Sequence, residues 1–204
     1  MDVIQYDVGP GAYGVARADD GAVWTSLTGR GELARVSPDG QVSRIQLDTE
    51  QSRPMVLARG PDGAIWFSRG DGRIGRIDPA GTVSSVPVRT PAGSPYGLCA
   101  GPDRTLWYTL LAADRVGRIG PDGRIEEFPL PDRSCRPHAI AATPDGGCWA
   151  TLWATGSVVR LARDGSLAEE ISFQPGSEPH GIALGPGGSI WVALEAGFLA
   201  HLIP

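Results

Sequence analysis

A tryptophan recurs about every 42 residues through this chain, and that period limits what the chain can fold into more than any other feature. The segments "AVWTSL" at 22, "AIWFSR" at 64, "TLWYTL" at 105, "GCWATL" at 147 and "SIWVAL" at 189 carry Trp24, Trp66, Trp107, Trp149 and Trp191, spaced by 42, 41, 42 and 42 residues. Five copies account for all 204 residues. The 29 glycines and 18 prolines would signal disorder if scattered, but they signal turns when they recur in register. Repeats of this length mark supersecondary units that bury their hydrophobic faces only by stacking on one another.

Each copy reads as four short strands. In the third, "YGLCAG", "TLWYTLL", "RVGRIG" and "RIEEFPL" are separated by "PDR", a polar break and "PDG". Aliphatic and aromatic runs punctuated by Pro-Asp-Gly indicate an antiparallel meander. Four strands in about 42 residues is the signature of a propeller blade. The expectation is an all-β chain, a five-bladed β-propeller of four-stranded antiparallel blades in a single domain over residues 1–204. The fifth copy reaches "LAHLIP" after three strands, and the segment at 3–8, "VIQYDV", aligns with the fourth strands of the other copies. That N-terminal strand is expected to complete the last blade and close the ring, pairing an edge that would otherwise invite aggregation.

Charge and cysteine usage exclude several classes of function. The 23 acidic residues face 18 arginines and no lysine, for a formal charge of −5 without any block of like charge. Nucleic acid and membrane surfaces are therefore not expected partners. The start "MDVIQYDVGPGAY" has neither a basic nor an apolar leader region, and no apolar run is long enough to span a bilayer. A cytoplasmic monomer is expected. Cys99, Cys135 and Cys148 form no CxxC pair and are odd in number, which points to free thiols.

In a blade the first strand runs from one face along the central channel and the second returns to that face. Tyr13, His138, Glu178 and His180 lie at starts of first strands, and Glu195 lies just past a second strand. If blade five abuts blade one, all five converge on one channel mouth. Comparison among copies separates fold from site: the tryptophan is invariant, whereas the His180 position holds Tyr13, Met55, Tyr96 and His138 elsewhere. The acids beside and opposite His180 have no counterpart in the other copies. Packing explains the invariant residue, and two histidines with two glutamates on one rim favour chemistry.

Blander readings stand beside these. His138 or His180 alone is equally a polar residue hydrogen-bonded at a sheet end, and Tyr13 shares its place with Tyr96, whose motif has Ser94 where the fifth copy has Glu178. Trp153, the one tryptophan outside the repeating row, is a candidate platform for stacking substrate and equally an exposed aromatic at a loop end. The arginines at 35, 76, 118 and 160 recur with the blade and read as structural, as does His201 in the same place of the fifth copy.

These residues carry a resemblance. The motifs "GAYGVA" at 11–16, "RPHAIA" at 136–141 with "TLW" at 151–153, "EPHGIA" at 178–183 and "WVALE" at 191–195 resemble, in the same order, those of the streptogramin B lyases, also called virginiamycin B lyases. That family has seven repeats where this chain has five. The resemblance implies a carbon–oxygen lyase of antibiotic resistance that linearises a small cyclic depsipeptide by β-elimination at its ester. It implies His180 as catalytic base, Glu178 and Glu195 as ligands of Mg²⁺, and His138 and Tyr13 attending the substrate. His138 could polarise the carbonyl or protonate the leaving carboxylate, and Tyr13 could orient the ring. An imidazole is a suitable base near neutrality, and a hard cation stabilises the enolate-like charge. The alternative is a non-catalytic ligand- or protein-binding propeller of the same descent, since fold does not dictate function. A propeller lactonase would need a deeper Asn, Asp and Glu metal set, which does not recur on the first strands.

Overall fold

The computed structural model describes residues 3–204. The chain divides into two compact units, one ending at Pro87 and one beginning at Val88. The first unit holds two four-stranded antiparallel sheets. One is β1 (Ala12–Arg17), β2 (Val23–Leu27), β3 (Glu32–Val36) and β4 (Val42–Gln46); the other is β5 (Pro54–Arg59), β6 (Ile65–Arg69), β7 (Arg73–Ile77) and β8 (Val83–Pro87). The second unit holds three sheets. They are β9 (Pro95–Ala100), β10 (Leu106–Leu110), β11 (Arg115–Ile119) and β12 (Ile125–Pro129); β13 (Pro137–Ala142), β14 (Cys148–Leu152), β15 (Ser157–Leu161) and β16 (Leu167–Ser172); and β17 (Pro179–Leu184), β18 (Ile190–Leu194) and β19 (Phe198–Leu202). Strand order follows chain order in every sheet, the meander of a propeller blade. Among the described residues no helix is long and apolar enough to cross a membrane.

The repeating tryptophan is the second residue of the second strand in all five sheets. Its cross-strand partner on the third strand is Arg35, Arg76, Arg118, Arg160 or His201 in turn. The Arg76 and Arg118 guanidiniums lie 5.8 and 5.2 Å from the ring centroids of Trp66 and Trp107, close enough for cation–π attraction. In the fifth sheet His201 lies flat on Trp191, centroids 3.8 Å apart and planes 2° from parallel. The row is thus a packing device in all five sheets.

Neighbouring sheets bury their faces against each other. Trp24, Leu33, Leu57, Ile65, Phe67 and Ile77 form the core of the first unit, and Trp107, Val116, Ile140, Cys148, Leu152 and Val159 join the third sheet to the fourth. Trp149, Val158, Ile190 and Val192 join the fourth to the fifth. Each fully buried aliphatic side chain contributes about 1.5–3 kcal/mol, which is why no single sheet needs to be stable alone. All three cysteines are free thiols. Burial pushes Cys99 and Cys135 up to about 12, so both serve as apolar filler.

The strand expected at 3–8 is not formed, and the fifth sheet has three strands rather than four. The segment is held instead against the outer strand of its own unit. Arg44 on β4 donates from Nε to the Val8 carbonyl at 3.0 Å and faces Asp7 at 4.0 Å. A Cβ at Gly40 would come within 3.1 Å of Tyr6 Cε1, so the tyrosine ring rests on that turn. These side-chain attachments hold the segment where the expected ring closure required a free strand.

Candidate active site

The backbone at the start of the first strands explains how distant residues meet. Gly11, Arg53, Ser94, Arg136 and Glu178 all take a positive φ, at 85°, 38°, 53°, 50° and 47°. In each case the carbonyl of that residue accepts the N–H of the residue just past the second strand: Thr28, Gly70, Leu111, Trp153 and Glu195, at 3.0–3.2 Å. The repeat therefore pairs Glu178 with Glu195 in the fifth sheet and Arg136 with Trp153 in the fourth. Left-handed backbone at a residue other than glycine costs on the order of 1 kcal/mol, and Glu178 accepts that cost to bring its carboxyl beside that of Glu195.

A β-bulge follows. Pairing slips between Pro179 and Ile182 in the fifth sheet and between Pro137 and Ile140 in the fourth, so His180 and His138 lie on bulged backbone. Bulges re-aim side chains and leave an N–H unpaired. The residue two past the repeating tryptophan supplies the missing partner: Ser26, Ser68, Thr109 and Thr151 accept from the N–H of Gly14, Val56, Gly97 and Ala139 at 2.9–3.1 Å. The two threonine hydroxyls also donate onward. Thr109 Oγ1 bonds the carbonyl of His138 at 2.8 Å, and Thr151 Oγ1 that of His180 at 2.9 Å. Both histidines are thereby fixed by the sheet preceding them. In the fifth sheet the position is Ala193, so this clasp is absent beyond His180.

The side chains then form one connected group. His180 Nε2 lies 2.8 Å from Glu195 Oε1, with 35% and 47% of the two side chains exposed. Glu195 Oε2 accepts from Trp153 Nε1 at 3.3 Å, and Arg136 Cζ lies 4.8 Å from the Trp153 ring centroid. Glu178 is hydrogen-bonded to Glu195. That bond pushes the Glu178 carboxyl above its ordinary value and holds Glu195 below it, as expected for two carboxyls sharing one proton. The His138 ring centroid is 4.1 Å from that of His180 and 4.3 Å from that of Tyr96, forming a row along three first strands. Burial lowers His138 to about 4, and the nearby charges of His180 and Arg136 add to this against an opposing pull from Glu195.

The structure brings together His138, Trp153, Glu178, His180 and Glu195 within the second unit. Tyr13 occupies the corresponding position of β1 in the first unit and is 57% exposed. Two participants escaped the sequence reading, Tyr96 in the ring row and Arg136 on the indole. The signal was present: Trp153 and Glu195 stand one repeat of 42 residues apart, so each had to meet its own left-handed neighbour. Burial holds His138 neutral at ordinary pH, so what it offers a substrate is the single ring N–H of the neutral imidazole.

Among the described residues no cluster of three or more His, Cys, Asp or Glu side chains is arranged to enclose a metal ion. Glu178 and Glu195 nevertheless suit a hard cation that keeps most of its water, because two adjoining carboxyls concentrate negative charge that a cation relieves. A groove of about 430 Å³ elsewhere in the second unit is lined by Trp149, Arg160, Ile171, Ile190 and Leu202. Its counterpart in the first unit, about 260 Å³, is lined by Trp24, Arg35, Ile65 and Ile77. Recurrence marks these grooves as products of blade packing.

Comparison with known proteins gives consistent findings. The model of the virginiamycin B lyase family matches residues 1–131 and 111–202. A virginiamycin B lyase of Nocardia farcinica is 43% identical over 53 residues, which are 26% of this chain and 19% of that protein. A streptogramin B lyase structure superimposes with a TM-score of 0.90 at 31% identity, covering 98% of this chain and 67% of the other. The structure of a catalytically inactive histidine-to-alanine virginiamycin B lyase from Staphylococcus aureus with quinupristin gives 0.88 at 26% identity, covering 100% of this chain and 74% of the other.

Proposed function

The chain belongs to the virginiamycin B lyase family, and from that premise we propose that it is a carbon–oxygen lyase that opens streptogramin B cyclic depsipeptides by β-elimination at the ester, with His180 as base. The observation that carries this reading is the contact of His180 Nε2 with Glu195 Oε1 at 2.8 Å, with Glu178 bonded to the same carboxylate. Glu195 accepts the Nε2–H, which leaves the Nδ1 lone pair as the basic site of the imidazole.

The residues divide the work as follows. Nδ1 of His180 takes the proton α to the threonine carbonyl. The C–H electron pair becomes the Cα=Cβ bond, and the Cβ–O bond breaks with its pair passing to the departing carboxylate. No water is consumed. Mg²⁺ held by Glu178 and Glu195 would polarise the substrate carbonyl and so ease removal of a weakly acidic proton. Neutral His138, beside His180, can donate a hydrogen bond to substrate without adding charge. Trp153 positions Glu195 through its indole N–H, and Tyr13 is assigned to the macrocycle by the family resemblance. Such an activity would destroy the antibiotic.

The test is incubation of purified protein with a streptogramin B, with Mg²⁺ and with EDTA, followed by product mass. A linear product of unchanged mass, lost with EDTA and in His180→Ala, is expected. A gain of one water would replace elimination with hydrolysis, and no turnover would leave the binding propeller as the better reading.

A further inference from the structure

We propose that Arg136 receives the carboxylate expelled from the macrocycle, an inference that rests on the lyase reading above. The substrate ester is neutral and the departing group is an anion, so negative charge appears at the β-carbon side of the site as the bond breaks. In the lyase reading Glu178 and Glu195 are committed to Mg²⁺, and as acids they offer a departing carboxylate no partner of their own. A permanent cation on the adjoining sheet answers this, and the repeat supplies one. The bond from Trp153 N–H to the Arg136 carbonyl, 3.2 Å long, matches the bond that sets Glu195 beside Glu178.

The guanidinium is held but not neutralised. Its carbon lies 4.8 Å from the Trp153 ring centroid, and among the described residues it makes no ion pair, whereas ten other arginines do. Stacking on a ring face leaves the N–H groups at the rim of the guanidinium free to make the two parallel bonds that match a carboxylate. Arg136 is two residues before His138, and its charge is felt by that imidazole. Trp153 meanwhile donates to Glu195 at 3.3 Å, which ties the position of the cation to that of the carboxylate facing His180.

The experiment compares the full chain with Arg136→Gln and Arg136→Lys on a streptogramin B, measuring kcat, KM and inhibition by two linear products. One product bears the free carboxylate, and the other has it converted to a carboxamide. Arg136→Gln is expected to lower kcat by about 100-fold, in line with loss of one charge-stabilising donor, while KM changes little. It should weaken inhibition by the carboxylate about tenfold and leave the carboxamide unaffected, with Arg136→Lys in between. Equal loss of both products would make Arg136 a support for Trp153 only, and unchanged kcat would remove it from the reaction; either overturns the proposal. Failure of the unaltered protein to turn over would instead overturn the lyase reading beneath it.

Discussion

The backbone N–H of Glu195 donates to the carbonyl of Glu178 at 3.2 Å, and this one bond sets two carboxyls side by side. The fold makes the same bond in all five sheets, so the site is a repeat element in which only the side chains are special. Separating repeat from side chain yields the following predictions.

Glu178 pays for its position with left-handed backbone at φ 47°. Glu178→Gly should raise stability by about 1 kcal/mol, because glycine adopts that conformation freely and Gly11 holds the equivalent place, while turnover falls at least tenfold. Thermal melting and product formation on the same sample check both halves, and a variant less stable than the parent would sink the strain argument.

Thr151 is fully buried and bonds both the Ala139 N–H and the His180 carbonyl. Thr151→Val keeps the shape and strands both groups, so a loss of about 1–3 kcal/mol is expected in urea unfolding. Thr151→Ser should recover most of it. A neutral Thr151→Val would mean that the bulge finds another partner.

Loss of the indole N–H should be felt at Glu195. Trp153→Phe retains a ring for Arg136 but removes the donor 3.3 Å from Oε2. Mg²⁺ affinity by calorimetry is expected to fall about tenfold, the usual scale for losing an outer partner of a metal-bound group, with little change in melting temperature.

Acid should weaken the protein through His138. Its imidazole titrates near 6.5 in the unfolded chain and at about 4 in the folded one. Between those values the unfolded chain binds the extra proton, so stability is full above pH 6.5 and declines as pH falls toward 4. Partial exposure limits the loss to about 1–2 kcal/mol. Melting temperatures measured from pH 7 to 4.5 should slope for the parent and be flatter for His138→Gln.

Much of this was readable in the chain itself. The strand bounds predicted in the third copy fall within a residue or two of β9, β10, β11 and β12, because turn chemistry and strand patterning are local. His180, Glu178 and Glu195 were identified by comparing copies. No strand forms at 3–8 although its pattern is that of a fourth strand, because Arg44 and the Gly40 turn compete for the segment.

The sequence alone determined the period, the sheet count and which residues the repeat does not explain, since all three follow from setting the five copies against one another and from strand and turn chemistry that is local to each. Only tertiary structure decided that Trp153 serves Glu195, that Arg136 lies on Trp153, that Tyr96 joins the row of rings and that His138 is neutral. Each of those depends on the distance between side chains of different strands or sheets. Such distances are set by bulges, left-handed residues and packing, which no single copy encodes alone.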